Sequence, residues 1–161
     1  MRPVSAAIAT AAAACLLAAC SGSQPSTFAV TGASVDPTYW CPGGANNAKY
    51  DLHATVNVRN GTSHEVSIQS VTAVMTLAAV QGSWLEKVGD RFDAGIATFS
   101  TNSVAAGASA SLKVVIPSAC TSDKYGGNTS SAGDYAVTLR LVTSAGAFAV
   151  TAQNQHEIRA A

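Results

Sequence analysis

The chain has 161 residues, of which 48% are apolar and only 11% are charged, and its nine Lys and Arg residues balance nine Asp and Glu residues. That length suits one domain with its own core and excludes two independent catalytic domains. Balanced charge leaves no basic surface of the kind that nucleic acid requires, and the low content of Lys and Glu favours β-strands over a solvated helical bundle.

Residues 1–19 have the pattern of an export signal. Met1 and Arg2 form a short positive region, and the apolar run Val4–Leu17 that follows is too short to span a bilayer comfortably. The segment Leu17-Ala18-Ala19-Cys20 resembles the lipobox of bacterial lipoproteins. The resemblance implies cleavage before the Cys, which then carries the acyl chains of a membrane anchor. The alternative is an ordinary secretory signal followed by an incidental Cys.

The segment after the signal is predicted to be a tether. Residues 20–27 are rich in Ser, with Gly and Pro, a composition that gives flexible linkers. Removal of the signal takes away Arg2 and no other charged residue, so the net charge of the mature chain is again too small to select a partner. Residues 28–161 are predicted to form one domain on the extracytoplasmic side of a cell membrane or outer membrane.

The domain shows apolar residues with a period of two, which indicates an all-β fold. Strands are predicted at Phe28–Val35, at residues 52–58, from Val66 onward, near Ile96–Phe99, at residues 108–116, and in a hairpin over residues 135–152. In the first alternating run the residues predicted to face inward are Leu52, Ala54, Val56 and Val58.

Three local signals refine these predictions. Asn60-Gly61 predicts a hairpin turn, since this pair favours positive φ. The run that begins with Val66 and Ile68 changes phase before Val71, which requires a β-bulge or a strand that switches sheets. Pro117 is predicted to end the strand that precedes it, because proline donates no ladder hydrogen bond.

About seven strands result, which is the number in an immunoglobulin-like sandwich. The segment Gly133–Leu139 resembles the start of strand F in that class, where Tyr135 makes the tyrosine corner. Val58–Thr62 and Val104–Ser109 resemble the B–C and D–E connections of bacterial immunoglobulin-like modules. The resemblance implies a sandwich of about seven antiparallel strands and, because this fold has many functions, it implies no activity.

Two cysteines remain if Cys15 is removed with the signal and Cys20 is lipidated. Cys41 and Cys120 are then an even pair in an oxidising compartment, and they are predicted to form a disulfide. Cys41 precedes strand B and Cys120 follows strand E, and these strands are neighbours in the proposed sandwich. In the chain-entropy model a loop of about 80 residues is worth roughly 4–5 kcal/mol. Thiolate ligation of a metal is the alternative.

The chain offers little for catalysis. It contains no Gly-x-Ser-x-Gly segment, and the carboxylates of Asp90 and Asp93 have a spacing that is common by chance. His53, His64 and His156 do not cluster in sequence, although the first two could share one sheet surface. We therefore expect no enzyme activity, no cofactor and no metal site.

Recognition by loops is the remaining possibility. Tyr39 and Trp40 lie beside the predicted disulfide, and Tyr125 lies on the opposite long loop. Residues 80–95 break the strand pattern, and we expect a short helix or an elaborate loop there that carries Trp84 and Phe92. Rigid aromatic residues on loops often anchor a ligand. Alternatively, Trp40 covers the core next to the disulfide, and the other two plug one end of the sandwich.

These patterns predict a lipid-anchored binding or accessory module of the cell envelope, with a protein or polysaccharide as its partner. A second hypothesis is an assembly subunit, which an unpaired edge strand would favour. A third is a metal-binding periplasmic factor.

Overall fold

The computed structural model describes residues 27–42, 47–120 and 131–159, and these residues form β-strands and their connections. The strands are β1 (Phe28–Val35), β2 (Thr38–Trp40), β3 (Lys49–Asn60), β4 (Val66–Gln81), β5 (Arg91–Phe99), β6 (Ser103–Val104), β7 (Ser109–Ala119), β8 (Ala132–Thr143), β9 (Gly146–Thr151) and β10 (His156–Arg159). Within these ranges there is no helix with the length and apolar character needed to cross a membrane.

The strands lie in two sheets that are joined by β5. One sheet has the order β1-β3-β7, and the other has the order β5-β4-β8-β10-β2 with β9 also on β8. Pairing is antiparallel except between β10 and β2, which are parallel. The first part of β5 pairs with β4, and its last residues, Thr98 and Phe99, pair with β7 in the other sheet.

The strand count differs from the predicted seven because two segments are interrupted. β1 pairs with β3, whereas β2 continues the same segment beside β10 in the other sheet. β9 and β10 lie one after the other along β8. If β1 and β2 are counted as one strand, and β9 and β10 as another, seven long strands and the two-residue β6 remain. Their order in the two sheets is that of an immunoglobulin-like sandwich. The predicted fold class is confirmed.

Asn154 stabilises the point where the first segment changes sheets. Its side-chain Oδ1 accepts a hydrogen bond from the backbone N–H of Val35 at 3.1 Å, and its Nδ2 donates to the carbonyl of the same residue at 2.8 Å. The backbone N–H of Gln153 also donates to the carbonyl of Ala33 at 2.9 Å. These bonds satisfy the backbone of β1 where its path leaves the first sheet.

The core lies between the two sheets and follows the predicted alternation. Each fully buried Leu, Ile or Val side chain stabilises the fold by about 1.5–3 kcal/mol. From the first sheet the core receives Leu52, Ala54, Val56, Val58, Leu112, Val114 and Ile116, and from the second it receives Val71, Ala73, Met75, Leu77, Val137, Leu139 and Leu141.

The phase change in β4 is a β-bulge, one of the two alternatives that the sequence predicted. The register between β4 and β8 shifts between Ile68 and Ser70. Val66 and Ile68 before the shift and Val71 after it are all buried. The extra residue therefore lets both halves of one strand face the core.

Pro117 does not end its strand, and that prediction is wrong. β7 continues to Ala119, and the proline lies opposite Asp51 of β3. The carbonyl of Lys113 accepts a bond from Ser100 N at 2.9 Å, so the backbone of Lys113 faces β5. Pro117, four residues later, has its backbone on the same edge of β7. The pairing of β5 with β7 reaches only to Val115, so no described strand lies beside Pro117 on that edge. Its missing N–H therefore costs no ladder hydrogen bond.

The predicted hairpin at Asn60-Gly61 is also wrong. β3 pairs with β1 and β7 and not with β4, so the connection crosses from one sheet to the other. Gly61 is not among the residues with positive φ. Asn60 is instead fully buried, with its Oδ1 accepting bonds from the backbone N–H and the hydroxyl of Thr62 at 3.0 and 2.7 Å. Its Nδ2 donates to the carbonyls of His64, Val104 and Ala105 at 2.8, 2.9 and 3.2 Å.

Replacement of Asn60 should destabilise the domain more than replacement of an exposed Asn in the same strand. Asn60→Ala leaves three carbonyls in the crossing connections without their donor, so we expect a loss of about 2–4 kcal/mol in urea unfolding. Asn57 is exposed, and its side chain accepts a bond from Ser111 Oγ at 2.7 Å. Asn57→Ala is the matched control and should cost no more than about 1 kcal/mol. Equal losses in the two variants would contradict this role for Asn60.

Candidate functional site

The aromatic residues singled out in the sequence lie at one end of the sandwich where they are described. Tyr39 and Trp40 belong to β2, and Trp84 lies in the connection between β4 and β5. β2 lies beside the last residues of β10, and Trp84 contacts the start of β8, which pairs with those residues. Cys20, the predicted lipidation site, and Tyr125, the fourth predicted aromatic residue, lie outside the described residues.

A disulfide between Cys41 and Cys120 closes this end of the sandwich, as predicted. The Cα atoms are 5.9 Å apart. The backbone N–H of Cys41 donates to the carbonyl of Arg159 at 2.9 Å, and that of Cys120 donates to Ala48 at 2.9 Å. The bond therefore joins the β2–β10 edge of one sheet to the β3–β7 ladder of the other. Both Cys are buried, so the bond is part of the core at this end.

Trp40 lies on the outer face of β2. The register places Thr38 opposite Glu157 and Trp40 opposite Arg159, so all four side chains point to the same side of the sheet. The Cζ atom of Arg159 lies 5.2 Å from the centre of the indole ring, and its Nε lies 2.7 Å from Glu157 Oε2. The hydroxyl of Thr38 donates to the same Glu157 oxygen at 3.3 Å. The hydrogen bond from Arg159 lowers the pKa of the Glu157 carboxyl.

We call this set of residues, together with Asp134 opposite Glu157 on β8, the Trp40 surface. Trp40 is 55% exposed, so it does not cover the core. The guanidinium of Arg159 lies over the indole, and β2, which carries Trp40, is paired with β10. Both contacts restrict the ring to a defined position. Whether the ring binds a ligand stays a prediction.

Tyr39 faces the opposite way, is half-buried and stacks on the buried ring of Tyr50. Its ring lies 3.8 Å from that of Tyr50, with an angle of 7° between the planes. The Tyr50 hydroxyl lies 2.9 Å from Nε2 of His156, and Nδ1 of that imidazole lies 2.7 Å from the carbonyl of Asp36. Since a carbonyl only accepts, Nδ1 carries the proton and Nε2 accepts from the tyrosine. Tyr39 therefore supports the interior and is not available to a ligand in the way that Trp40 is.

Burial keeps the His156 imidazole and the Tyr50 hydroxyl in their neutral forms. Burial lowers the pKa of His156 and raises the pKa of the Tyr50 hydroxyl to about 12. His156 is only 1% exposed, yet it was not predicted as a core residue, because the residues around it are polar and show no periodicity. A neutral, fully bonded imidazole of this kind is a structural element and not a poised base.

The stability of the domain should fall as the pH is lowered from neutrality. Because the folded pKa of His156 is lowered from 6.5, the unfolded chain takes up a proton near that pH that the folded chain does not. Unfolding in urea at about pH 7.5 and about pH 5.5 measures the difference. In His156→Gln the decrease between the two pH values should be smaller. The same decrease in both proteins would show that His156 is not its source.

Trp84 plugs the end of the sandwich, as one interpretation of the sequence proposed. Its Nε1 donates to the hydroxyl of Tyr135 at 3.1 Å, and burial raises the pKa of that hydroxyl. A Cβ on Gly133 would lie 2.6 Å from Trp84 Cε2, so glycine is required for the indole to approach β8. Phe92, the second proposed plug, is 45% exposed and lies on β5. Of the expected short helix or elaborate loop, the structure has a loop without a helix, and this loop covers only residues 82–90 because β4 extends to Gln81 and β5 begins at Arg91.

The histidines predicted to share a surface are far apart. His53 lies on the outer face of β3, with Nδ1 2.9 Å from Asp36 Oδ2, whereas His64 follows the opposite end of that strand. Asn60 is seven positions after His53 along β3, which corresponds to roughly 23 Å. In the described part of the chain no three His, Cys, Asp or Glu side chains are grouped in a way that could hold a metal.

The acidic residues weighed for catalysis stabilise local turns. Asp90 Oδ2 accepts a bond from the backbone N–H of Lys87 at 2.9 Å. Asp93 Oδ1 accepts one from Gly95, also at 2.9 Å, at the position where β5 has a positive φ of 71°. Each carboxylate thus has a partner within its own segment, and the two do not form a pair.

No protein-family model matches the chain, and no curated protein matches it. Among solved structures it is similar to the ASH/PapD-like domain of human CEP192 (PapD-like domain 7). The identity is 12% and the TM-score 0.29, over 82% of this chain and 87% of that chain. A likeness at this level carries no argument about function, so the site must be judged on its own contacts.

Proposed function

We propose that the protein is an exported, lipid-anchored lipoprotein whose immunoglobulin-like domain binds an envelope ligand without catalysis. The Leu17-Ala18-Ala19-Cys20 segment supports the anchor, and the exposed Trp40 supports the binding role. The observation that carries the proposal is the position of this indole, which is solvent-exposed and next to the disulfide.

Trp40 is prepared for binding before a ligand arrives. The ring is held by the short β2 strand, by the guanidinium of Arg159, and by a disulfide at the next residue. A side chain that is already ordered loses little conformational entropy on binding, and aromatic residues in such positions supply much of the energy of an interface.

The groups around the indole favour a polysaccharide over an envelope protein. The Trp40 surface combines an apolar ring with a hydroxyl, two carboxylates and a guanidinium, from Thr38, Glu157, Asp134 and Arg159. The ring can stack on the apolar face of a sugar, while the polar groups donate to and accept from its hydroxyls. The guanidinium of Arg159 and the carboxylate of Glu157 pair with each other, so this surface has little net charge to attract a strongly charged ligand.

Binding to polysaccharide should depend on Trp40. Co-sedimentation of residues 20–161 with purified, insoluble bacterial cell-wall polysaccharide should show at least about tenfold weaker binding for Trp40→Ala, because the stacking surface is lost. Ile96→Ala is the control, since Ile96 is 76% exposed on β5 and lies outside the Trp40 surface. Undiminished binding of Trp40→Ala, or an equal loss in the control, would contradict the proposal.

The anchor can be tested by the intact mass of the protein purified from a bacterial membrane fraction. We expect loss of residues 1–19 and the added mass of acyl chains on Cys20. Alkylation should add two further groups, at Cys41 and Cys120, and only after reduction. A Cys20→Ser variant should be released from the membrane. An unmodified Cys20 in the membrane fraction would contradict the anchor while leaving the domain's binding role open to the first test.

One feature favours the alternative role as an assembly subunit. β5 pairs with β4 on one side through residues 91–97, and no described strand pairs with its other side along that stretch. An extended segment of a partner could add there. However, Arg91, Asp93 and the irregularity at Gly95 are the features that proteins use to protect such edges from pairing. The Trp40 surface is therefore the better supported site.

A further inference from the structure

A cavity of about 170 Å³ opens to solvent at the disulfide end of the sandwich, on the face of β10 opposite the Trp40 surface. Its apolar walls include Met75 of β4, Phe92 of β5 and Ile158 of β10. Two hydroxyl-bearing residues, Ser118 of β7 and Tyr135 of β8, line it between the two sheets, together with Asn47 and Ala119. The charged side chains that line it come from the start of β5 and the connection before it: Glu86, Asp90 and Arg91.

The sequence explains why this space is not filled. The inward residues of β7 are Leu112, Val114 and Ile116, and the next inward position is Ser118. A serine in the last layer of an otherwise branched aliphatic series leaves room, and its Oγ lies 3.8 Å from the sulfur of Met75. The first part of β5 pairs with β4 and not with β7. Along this stretch no hydrogen bonds join β5 to β7, so the gap between the two sheets stays open here.

We propose that this cavity binds a small aromatic or compact aliphatic molecule that is neutral or cationic. An engineered apolar cavity of about 150 Å³ in another protein binds benzene, so the volume here fits one ring with a small substituent. Phe92 and the thioether of Met75 provide favourable contacts for such a ring. The buried hydroxyls of Ser118 and Tyr135 can bond to one polar substituent.

The charge around the cavity selects against anions. Its described lining carries two carboxylates, Glu86 and Asp90, and one guanidinium, Arg91. An anionic ligand would lie near an excess of negative charge, whereas an amine would be attracted by it. This inference does not depend on the Trp40 surface, which lies on the outer face of β2 and β10.

The two tryptophans of the chain allow each site to be observed separately. Trp84 Nε1 is bonded to Tyr135, a cavity residue, whereas Trp40 lies on the outer surface. In ¹H–¹⁵N spectra of residues 20–161, phenol and benzylamine should shift the indole signal of Trp84 and leave that of Trp40 unchanged. Benzoate should bind about tenfold more weakly than benzylamine. Trp84→Phe assigns the signals.

A matched pair of substitutions at Ser118 tests whether the ligand occupies the cavity. Both Ser118→Ala and Ser118→Val remove the hydroxyl, but only the valine adds volume to the wall. The alanine variant should retain binding of phenol, and the valine variant should lose it, with both melting temperatures measured to establish that the fold persists. If the valine variant does not fold, Ile158→Phe fills the same space from the opposite wall.

Three results would overturn the proposal. The first is no shift of Trp84 with either probe at about 10 mM, a concentration that would nearly saturate a site with a Kd of about 1 mM. The second is equal binding of phenol to the filled and unfilled variants. The third is a preference for benzoate. None of these outcomes affects the polysaccharide test, which is measured on Trp40.

Discussion

The Cys41–Cys120 bond is the constraint on which the end of the sandwich with the two proposed sites depends. It joins the edge of one sheet, where β2 runs beside β10, to the ladder of β3 and β7 in the other. The interior is incompletely filled here, because β7 presents Ser118 where a large aliphatic residue would otherwise pack. The bond compensates for missing apolar contacts by restricting the unfolded chain, an effect that the chain-entropy model puts at roughly 4–5 kcal/mol for a loop of this length. An incompletely packed cavity and an exposed indole can therefore be maintained at the same end without separation of the sheets.

At the opposite end a buried amide joins two connections. The side chain of Asn60 bonds to carbonyls of the connection between β3 and β4 and of residues at the end of β6 and just after it. The backbone N–H of Asn60 also donates to the carbonyl of Ala108 at 2.8 Å, so the two short segments that resemble the B–C and D–E connections of immunoglobulin-like modules are bonded to each other through both the side chain and the backbone of this residue. A hydrogen-bonded end of this kind depends on complete satisfaction of its polar groups, whereas the disulfide end tolerates an open cavity because a covalent bond closes it.

Periodicity in the sequence was sufficient to predict most of the strands. The alternation in β3, β7 and β8 identified the inward residues, and the phase change after Ile68 identified the bulge in β4. The errors occurred where a distant contact decided the conformation. Asn60 precedes a glycine, but its carbonyl partners come from 44 and 45 residues away as well as from its own connection. Pro117 tolerates strand geometry only because β5 has changed sheets. His156 lies in a polar run, and its burial follows from Tyr50 and Asp36, which no local pattern connects to it.

Strand β10 carries one residue of each proposed binding site on its two faces. Ile158 faces the cavity, and Arg159 faces outward and supports Trp40. The backbone between them is bonded to β8 on one side and, through the carbonyl of Arg159, to Cys41 on the other. These two side chains therefore keep a fixed relation, because neither can move with the strand unless two neighbouring strands and the disulfide move as well. A ligand on either face contacts different side chains, and the rigid strand between the faces limits how far a displacement at one could be transmitted to the other. The Trp40 surface and the cavity are thus expected to bind independently if both proposals hold, even though adjacent residues of one strand help to build them.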